Sequence, residues 1–388
     1  MSVNTMSFED ASAILNNIRQ QVTGEASLAP VNTADFVSVG TTLLQSGYDP
    51  VLNAITQMVT KTIFSIRPYS RKFGGIKVDS EMWGSIVRKL AVADKAWESN
   101  DEFDLVDGQS IDHYKVSKPD VLELKFYGAE DFAKHYTIFK DQLNNAFTGV
   151  AEFSRFMSMV VQNVSDMIEQ NFESIARMII ANYVGGKKVA NNGVIHLLTE
   201  YNTEVGGSYT AVTIMAPANF GDFMKWVYAR IATLTGLMTE RSTEFQINVT
   251  GKPITRHTPY EYQKVYLYAK LLNDMNARVL ADTFHYDFIE YADVEAVNYW
   301  QSIDTPMAID VTPNYLDTDG SIKTGAEQNI TNLVGVIFDR EALGYTVMNE
   351  WSATTPLNAS GGYWNTFYHF LMKWWVDYSE KGIILLLD

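Results

Sequence analysis

The sequence has 388 residues, 46% of them hydrophobic, enough to fill one large core or two modest ones, which places it in the globular class. Its 30 basic and 46 acidic residues leave a formal charge of −16, a mean field that repels DNA and anionic membranes. The absence of cysteine excludes disulfides, thiol nucleophiles and thiolate metal sites, so stability must come from packing and association.

The opening residues, Met1 to Asp10, show no basic segment followed by an apolar run, so neither a signal nor a transit peptide is expected. No stretch approaches the roughly 20 consecutive apolar residues that a bilayer crossing requires. Ser7 with Asp10 predicts a helix whose apolar positions Phe8, Ala11, Ile14, Leu15, Ile18 and Val22 share a face and which closes at Gly24. Thr33 and the Asp49-Pro50 pair read as N-caps of two further helices, the second carrying Val51, Leu52, Ile55, Met58 and Val59. The alternation Thr62-Ile63-Phe64-Ser65-Ile66 before Pro68 predicts a strand.

From Phe73 to Tyr127 two β-like runs, Ser85 to Val92 and His113 to Phe126, flank the acidic stretch Glu98 to Asp104, which predicts a long hairpin. An isolated two-stranded ribbon is marginal in water, so it must lie on something, either its own domain or a neighbouring subunit. The strongest periodicity follows: Val150, Phe153, Phe156, Met157, Val160, Val161, Val164, Met167, Ile168, Phe172, Ile175, Met178, Ile179 and Tyr183 fall on one helical stripe. Thr148 would cap this helix and Gly185-Gly186 would end it, giving about 50 Å. A compact domain of this length is only about 55 Å across, which predicts a flat or elongated molecule.

Beyond Gly186, strands are expected over Val189 to Leu198 and Tyr209 to Ala216, and a helix over Asn219 to Thr235. A strand over Gln263 to Tyr268, a helix over Lys270 to Ala281 and a strand over Ala292 to Trp300 complete a second domain, roughly Gly193 to Gln328. The C-terminal part returns to β structure: Leu333 to Phe338, Ala342 to Met348, Tyr363 to Trp375 and Ile383 to Leu387. In the third of these, Tyr363, Phe367 and His369 alternate with Trp364, Tyr368 and Phe370, so both faces should be covered, as in a central strand. Aromatics reach 13%, with 21 Tyr and 8 Trp, a composition favoured at interfaces.

Candidates for chemistry are few. The six histidines, at 113, 135, 196, 257, 285 and 369, are scattered singly without metal-ligand spacing and read as structural. Gly185-Gly186-Lys187-Lys188 follows a helix, not the strand that a phosphate-binding loop needs. Asp317-Thr318-Asp319-Gly320 is a fragment of a calcium-loop pattern without the closing Glu, and reads as a polar turn. Paired carboxylates and an aromatic groove could serve a glycosidase, the rival enzymatic reading, but the acids fall in turns and on helix faces where carboxylates are merely solvated. No catalytic, cofactor-binding or metal residue is assigned.

Val336-Ile337-Phe338-Asp339-Arg340-Glu341, with Gly362-Tyr363-Trp364-Asn365 after it, resembles the major capsid proteins of small short-tailed phages of the phi-twenty-nine type. Leu28-Ala29-Pro30-Val31-Asn32-Thr33-Ala34, Val39-Gly40 and the run from Ile63 to Phe73 resemble the same proteins, while little similarity remains between Gly186 and Gln328. The resemblance implies an α+β Hong Kong 97-type phage capsid fold. Its parts would be an N-terminal arm with a first strand (1–72), an extended loop (73–127), a peripheral domain with a spine helix (128–192), an axial domain (193–328) and C-terminal strands shared by both domains (329–388). It also implies self-assembly as hexamers and pentamers, a scaffolding protein, a portal at one vertex, and a shell around double-stranded DNA bound without sequence specificity. The head would be icosahedral or prolate, assembled in the cytoplasm of a bacterial host and ending in the virion. An encapsulin-type compartment, which uses the same fold, is the nearest alternative. Relatives of the phi-twenty-nine type carry an immunoglobulin-like domain after the last strand; the sequence stops at Asp388 without it, so external decoration is not implied. No Lys–Asn cross-link pair is identified.

Overall fold

A computed structural model describes residues 8–24, 30, 32–65, 72–78, 86–93, 106–108, 110, 114, 116, 118, 120–127, 129–279 and 293–388. The N-terminal helices pack on one another. In α1 (Phe8–Thr23) the predicted stripe buries Ala11, Leu15 and Ile18 completely. α2 (Thr33–Ser46) is capped one residue earlier than expected: the Asn32 side chain accepts the Asp35 amide at 3.0 Å. In α3 (Tyr48–Ser65) Asp49 lies in the first turn, where its carboxylate accepts the Trp364 indole N–H at 2.6 Å and caps nothing. The strand expected from Thr62 is instead the end of α3; β-branched residues cost a helix only a few tenths of a kcal/mol each, less than the hydrogen bonds gained by continuing it. Ile66 lies outside the described residues.

The hairpin is present over a shorter second strand than the expected His113 to Phe126, since the described residues 114, 116, 118 and 120 are not strand. β1 (Ile86–Val92) and β2 (Val121–Tyr127) pair antiparallel, from Ile86 opposite Tyr127 to Val92 opposite Val121, as a two-stranded sheet of their own. Its acidic middle, with Ser85 and His113, lies outside the described residues. The chain then enters β3 (Glu130–Phe139), a short α4 (Lys140–Ala146) and the 40-residue α5 (Val150–Val189), about 60 Å long. Gly149, not Thr148, occupies its N-cap, and the helix passes through Gly185-Gly186 instead of stopping there. Those glycines answer to packing: a Cβ on Gly185 would lie 2.6 Å from Val311, and one on Gly186 would lie 2.2 Å from the Tyr378 hydroxyl.

Past α5 the expected Val189–Leu198 strand shrinks to β4 (Val194–His196), since Val189 ends one helix and α6 (Leu197–Val205) begins another. The strand expected over Tyr209 to Ala216 is a capped helical turn, α7 (Ala211–Ile214): Thr210 Oγ1 accepts the Thr213 amide at 3.2 Å, and Pro217 opens α8 (Pro217–Thr239) directly behind it. β5 (Gln263–Tyr268), α9 (Ala269–Val279) and β6 (Asp293–Val297) follow as expected, within a few residues at each end. Four short strands were not anticipated: β7 (Ile309–Val311), β8 (Asn314–Leu316), β9 (Ile322–Thr324) and β10 (Gln328–Ile330). The chain closes with β11 (Leu333–Asp339), β12 (Leu343–Thr354), β13 (Tyr363–Val376) and β14 (Gly382–Leu386).

Two cores share one sheet, ordered β4-β14-β11-β5-β6. β11 and β14 are buried on both faces, as their unbroken apolar runs require. Val336, Phe338, Ile384 and Leu386 belong to the core built on α5 and the N-terminal helices, while Ile337, Ile383 and Leu385, one position out of phase, belong to the core under α8 and α9. A second sheet, β12-β13-β3, lays one face on α3 and α5; there Trp364 is fully buried and Phe370 meets Phe172 edge-on at 5.6 Å.

Candidate assembly surfaces

The ribbon β1–β2 has two unlike faces, because alternate residues of each strand point opposite ways. Leu122, Leu124, Phe126 and Lys89 share the face turned to the body, where Leu122 is buried. On the other, Leu90, Val92 and Val121 are 62%, 57% and 43% exposed, an apolar strip left in water beside the Lys125–Glu123 ion pair of the same face. Exposed apolar side chains continue along the same loop at Val106, Tyr114 and Val116.

The ribbon's base meets a turn of unusual character. Asp377, Tyr378, Ser379, Glu380 and Lys381, between β13 and β14, read as a polar surface turn, yet all five are buried. Lys89 Nζ reaches Asp377 Oδ2 at 3.0 Å and Glu341 Oε2 at 3.3 Å, and pairs closely with Glu380. Arg256 Nη1 holds Glu380 from another side at 2.8 Å, and the Ser379 amide and hydroxyl satisfy Asp377 Oδ1. Burial pulls the Lys89 ammonium down, but Asp377 and Glu380 overcome it and hold its pKa above the ordinary lysine value. Burial pushes Glu380 up despite both cations.

The outward face of the second sheet is aromatic. β13 is central, as predicted, but from Tyr363 to Met372 only its even positions are buried; Tyr363, Phe367 and His369 remain half-buried within this chain. Phe139 packs on Tyr363 with ring centroids 6.0 Å apart, His135 on Phe367 at 5.3 Å, and Trp351 stacks on His369 at 3.8 Å. His369 Nδ1 also meets Asp131 Oδ2 at 3.0 Å. Phe139 and Trp351 are 48% and 46% exposed.

The remaining sequence candidates are dispersed. His196 pairs with Asp388 and His257 lines a mixed-charge cleft with Arg241 and Glu261, while His113 and His285 lie outside the described residues. Lys187 is fully buried in the last turns of α5, donating to Asn192 Oδ1 at 3.0 Å and the Phe245 carbonyl at 2.6 Å; burial lowers its pKa to about 7. The Asp317–Gly320 segment is the β8–β9 turn, where the Lys323 ammonium sits against both Asp317 and Asp319 and takes the position between the carboxylates. Hydrogen bonds from Ser321 and then Lys323 hold Asp319 well below the usual carboxylate range. Among the described residues no group of three or more His, Cys, Asp or Glu converges as metal ligands, and no helix is long and apolar enough to cross a membrane. The Lys89 cluster escaped sequence reading because its members lie in four distant segments.

Residues 12–377 match the family described as Phi29-like phage major capsid protein. The fold is similar to a chain in the capsid structure of Staphylococcus phage Andhra, with 11% identity, 82% of this chain and 84% of that one covered, and a TM-score of 0.53. A chain in the head fiber and inner core protein structure of bacteriophage P68 is similar to the same degree, with 11% identity, coverage of 82% and 85%, and a TM-score of 0.53. No curated protein matches the chain.

Proposed function

Because the chain belongs to the Phi29-like phage major capsid protein family and builds the virion shell by self-assembly, we propose how its parts divide that work. Subunits join as hexamers and pentamers around a scaffolding protein, leave one vertex to a portal, and afterwards enclose double-stranded DNA without reading its sequence. The segments 1–72, 73–127, 128–192, 193–328 and 329–388 serve as arm, extended loop, peripheral domain with spine, axial domain and shared closing strands. A net charge of −16 suits a shell that must not grip its genome. The role is structural, and no catalytic residue is assigned.

One observation carries this reading: the ribbon's apolar strip and the aromatic sheet face are both left open by a chain whose two cores are otherwise closed. Distinct patches that cover one another between copies make a heterologous contact, which gives rings where the rotation closes and open tubes or filaments where it does not. The family match favours a phage head over an encapsulin-type compartment or a glycosidase. Negative-stain electron microscopy of the protein made alone and with its scaffolding partner tests the reading. Rings, tubes or closed shells are expected; a monodisperse monomer under both conditions would overturn it.

A further inference from the structure

The ribbon β1–β2 is held to its own body in an unusual way. Among the described side chains of its body-facing side only Leu122 and the flanking Ala93 are buried, each 9% exposed, and Leu124 and Phe126 are half-buried. Between ribbon and body lies a cleft of about 690 Å³, with Phe126 and Lys89 on the ribbon side and Lys77, Lys264, Trp375 and Asp377 on the other. Across that cleft one ribbon side chain, Lys89, enters the buried turn and pairs with Asp377 and Glu380. At the far end Lys252 donates to the Val121 carbonyl at 3.0 Å from an exposed position, a contact worth little in water.

Removing one partner of a charge pair excluded from water leaves a buried charge uncompensated and is costly, whereas the apolar packing described for this face is thin. We propose that Lys89 is an ionic latch: its insertion between Asp377 and Glu380 docks the ribbon on its own subunit, and withdrawing it frees the ribbon as a unit while both cores stay folded. The body can survive release because Glu380 keeps Arg256 at 2.8 Å and Asp377 keeps the Ser379 amide and hydroxyl. The ribbon cannot keep its order alone, since two isolated strands are marginal in water. The outward strip is thus presented in a fixed direction only while the latch is closed.

Hydrogen exchange on the unassembled full-length subunit tests this without reference to assembly. Lys89→Met alone would strand two carboxylates and could unfold the body, so the decisive variant is Lys89→Met with Asp377→Asn, which leaves the Arg256–Glu380 pair balanced. Amides of residues 86–92 and 121–127 should exchange about tenfold faster or more, while amides of β11 and β14 and the thermal midpoint stay as in the parent. Unchanged exchange in the ribbon would overturn the latch. Equal loss of protection in ribbon and cores would overturn it too, because the cluster would then be ordinary core.

Discussion

Lys187 carries the clearest consequence of a single burial. Its folded pKa of about 7 lies below the ordinary lysine value of 10.5, so between those pH values the unfolded chain binds a proton that the folded chain does not. This group's penalty is complete below about pH 7 and is relieved as pH rises, by up to about 1.4 kcal/mol per pH unit. Lys187→Met removes the titration. Urea unfolding of parent and variant subunits from pH 6 to 9 should give a stability difference that is flat below pH 7 and moves in the parent's favour above it. A difference independent of pH would mean that Lys187 stays charged in its pocket. Gly186 offers a steric counterpart. The Tyr378 hydroxyl that a Cβ would strike is fixed by the carbonyls of Asn182 and Asn314 at 2.9 and 2.8 Å, so it cannot swing away. Gly186→Ala should cost about 2–3 kcal/mol in the same assay, although alanine is the better helix former.

At the scale of elements, legibility in the sequence followed the length of the pattern. α5, β5 and β13 each repeat one period several times, and each was found close to its place. Single turns defeat that logic: Thr210-Ala211-Val212-Thr213-Ile214 has strand composition, but one reciprocal Thr210–Thr213 cap and Pro217 decide for a helix. β7 to β10, three residues each, hold no period to read: β7, β8 and β10 lie against α5, and β9 pairs with β8. The glycines misread as a helix stop show the same limit, since only the approach of Val311 and Tyr378 reveals their purpose. Of the candidate surfaces, the aromatic strand was legible as sequence, whereas its open face depends on which neighbours the fold supplies. The Lys89 cluster was hidden altogether, because a turn composed of Asp, Ser, Glu and Lys carries no mark of burial.

For the whole molecule, the decisive surfaces are those that add nothing to the folding of one subunit. Leu90 and Val92 lie on the ribbon's outward face, 62% and 57% exposed, so Leu90→Asp with Val92→Asp removes little packing within the chain. Circular dichroism and the thermal midpoint of the free subunit should be unchanged. If the strip is covered by another copy in the shell, each contact loses apolar burial worth about 1.5–3 kcal/mol per side chain and must also desolvate two carboxylates. A shell repeats its contacts at every subunit, so even about tenfold weakening at each one accumulates against closure. The variant should therefore remain a folded, soluble subunit and fail to form shells under conditions in which the parent assembles, as read by sedimentation and electron microscopy. Shells of parental yield would place the ribbon's outward face in solvent even after assembly, and the aromatic face around Trp351 and Phe139 would then be the surface on which subunit contact must rest.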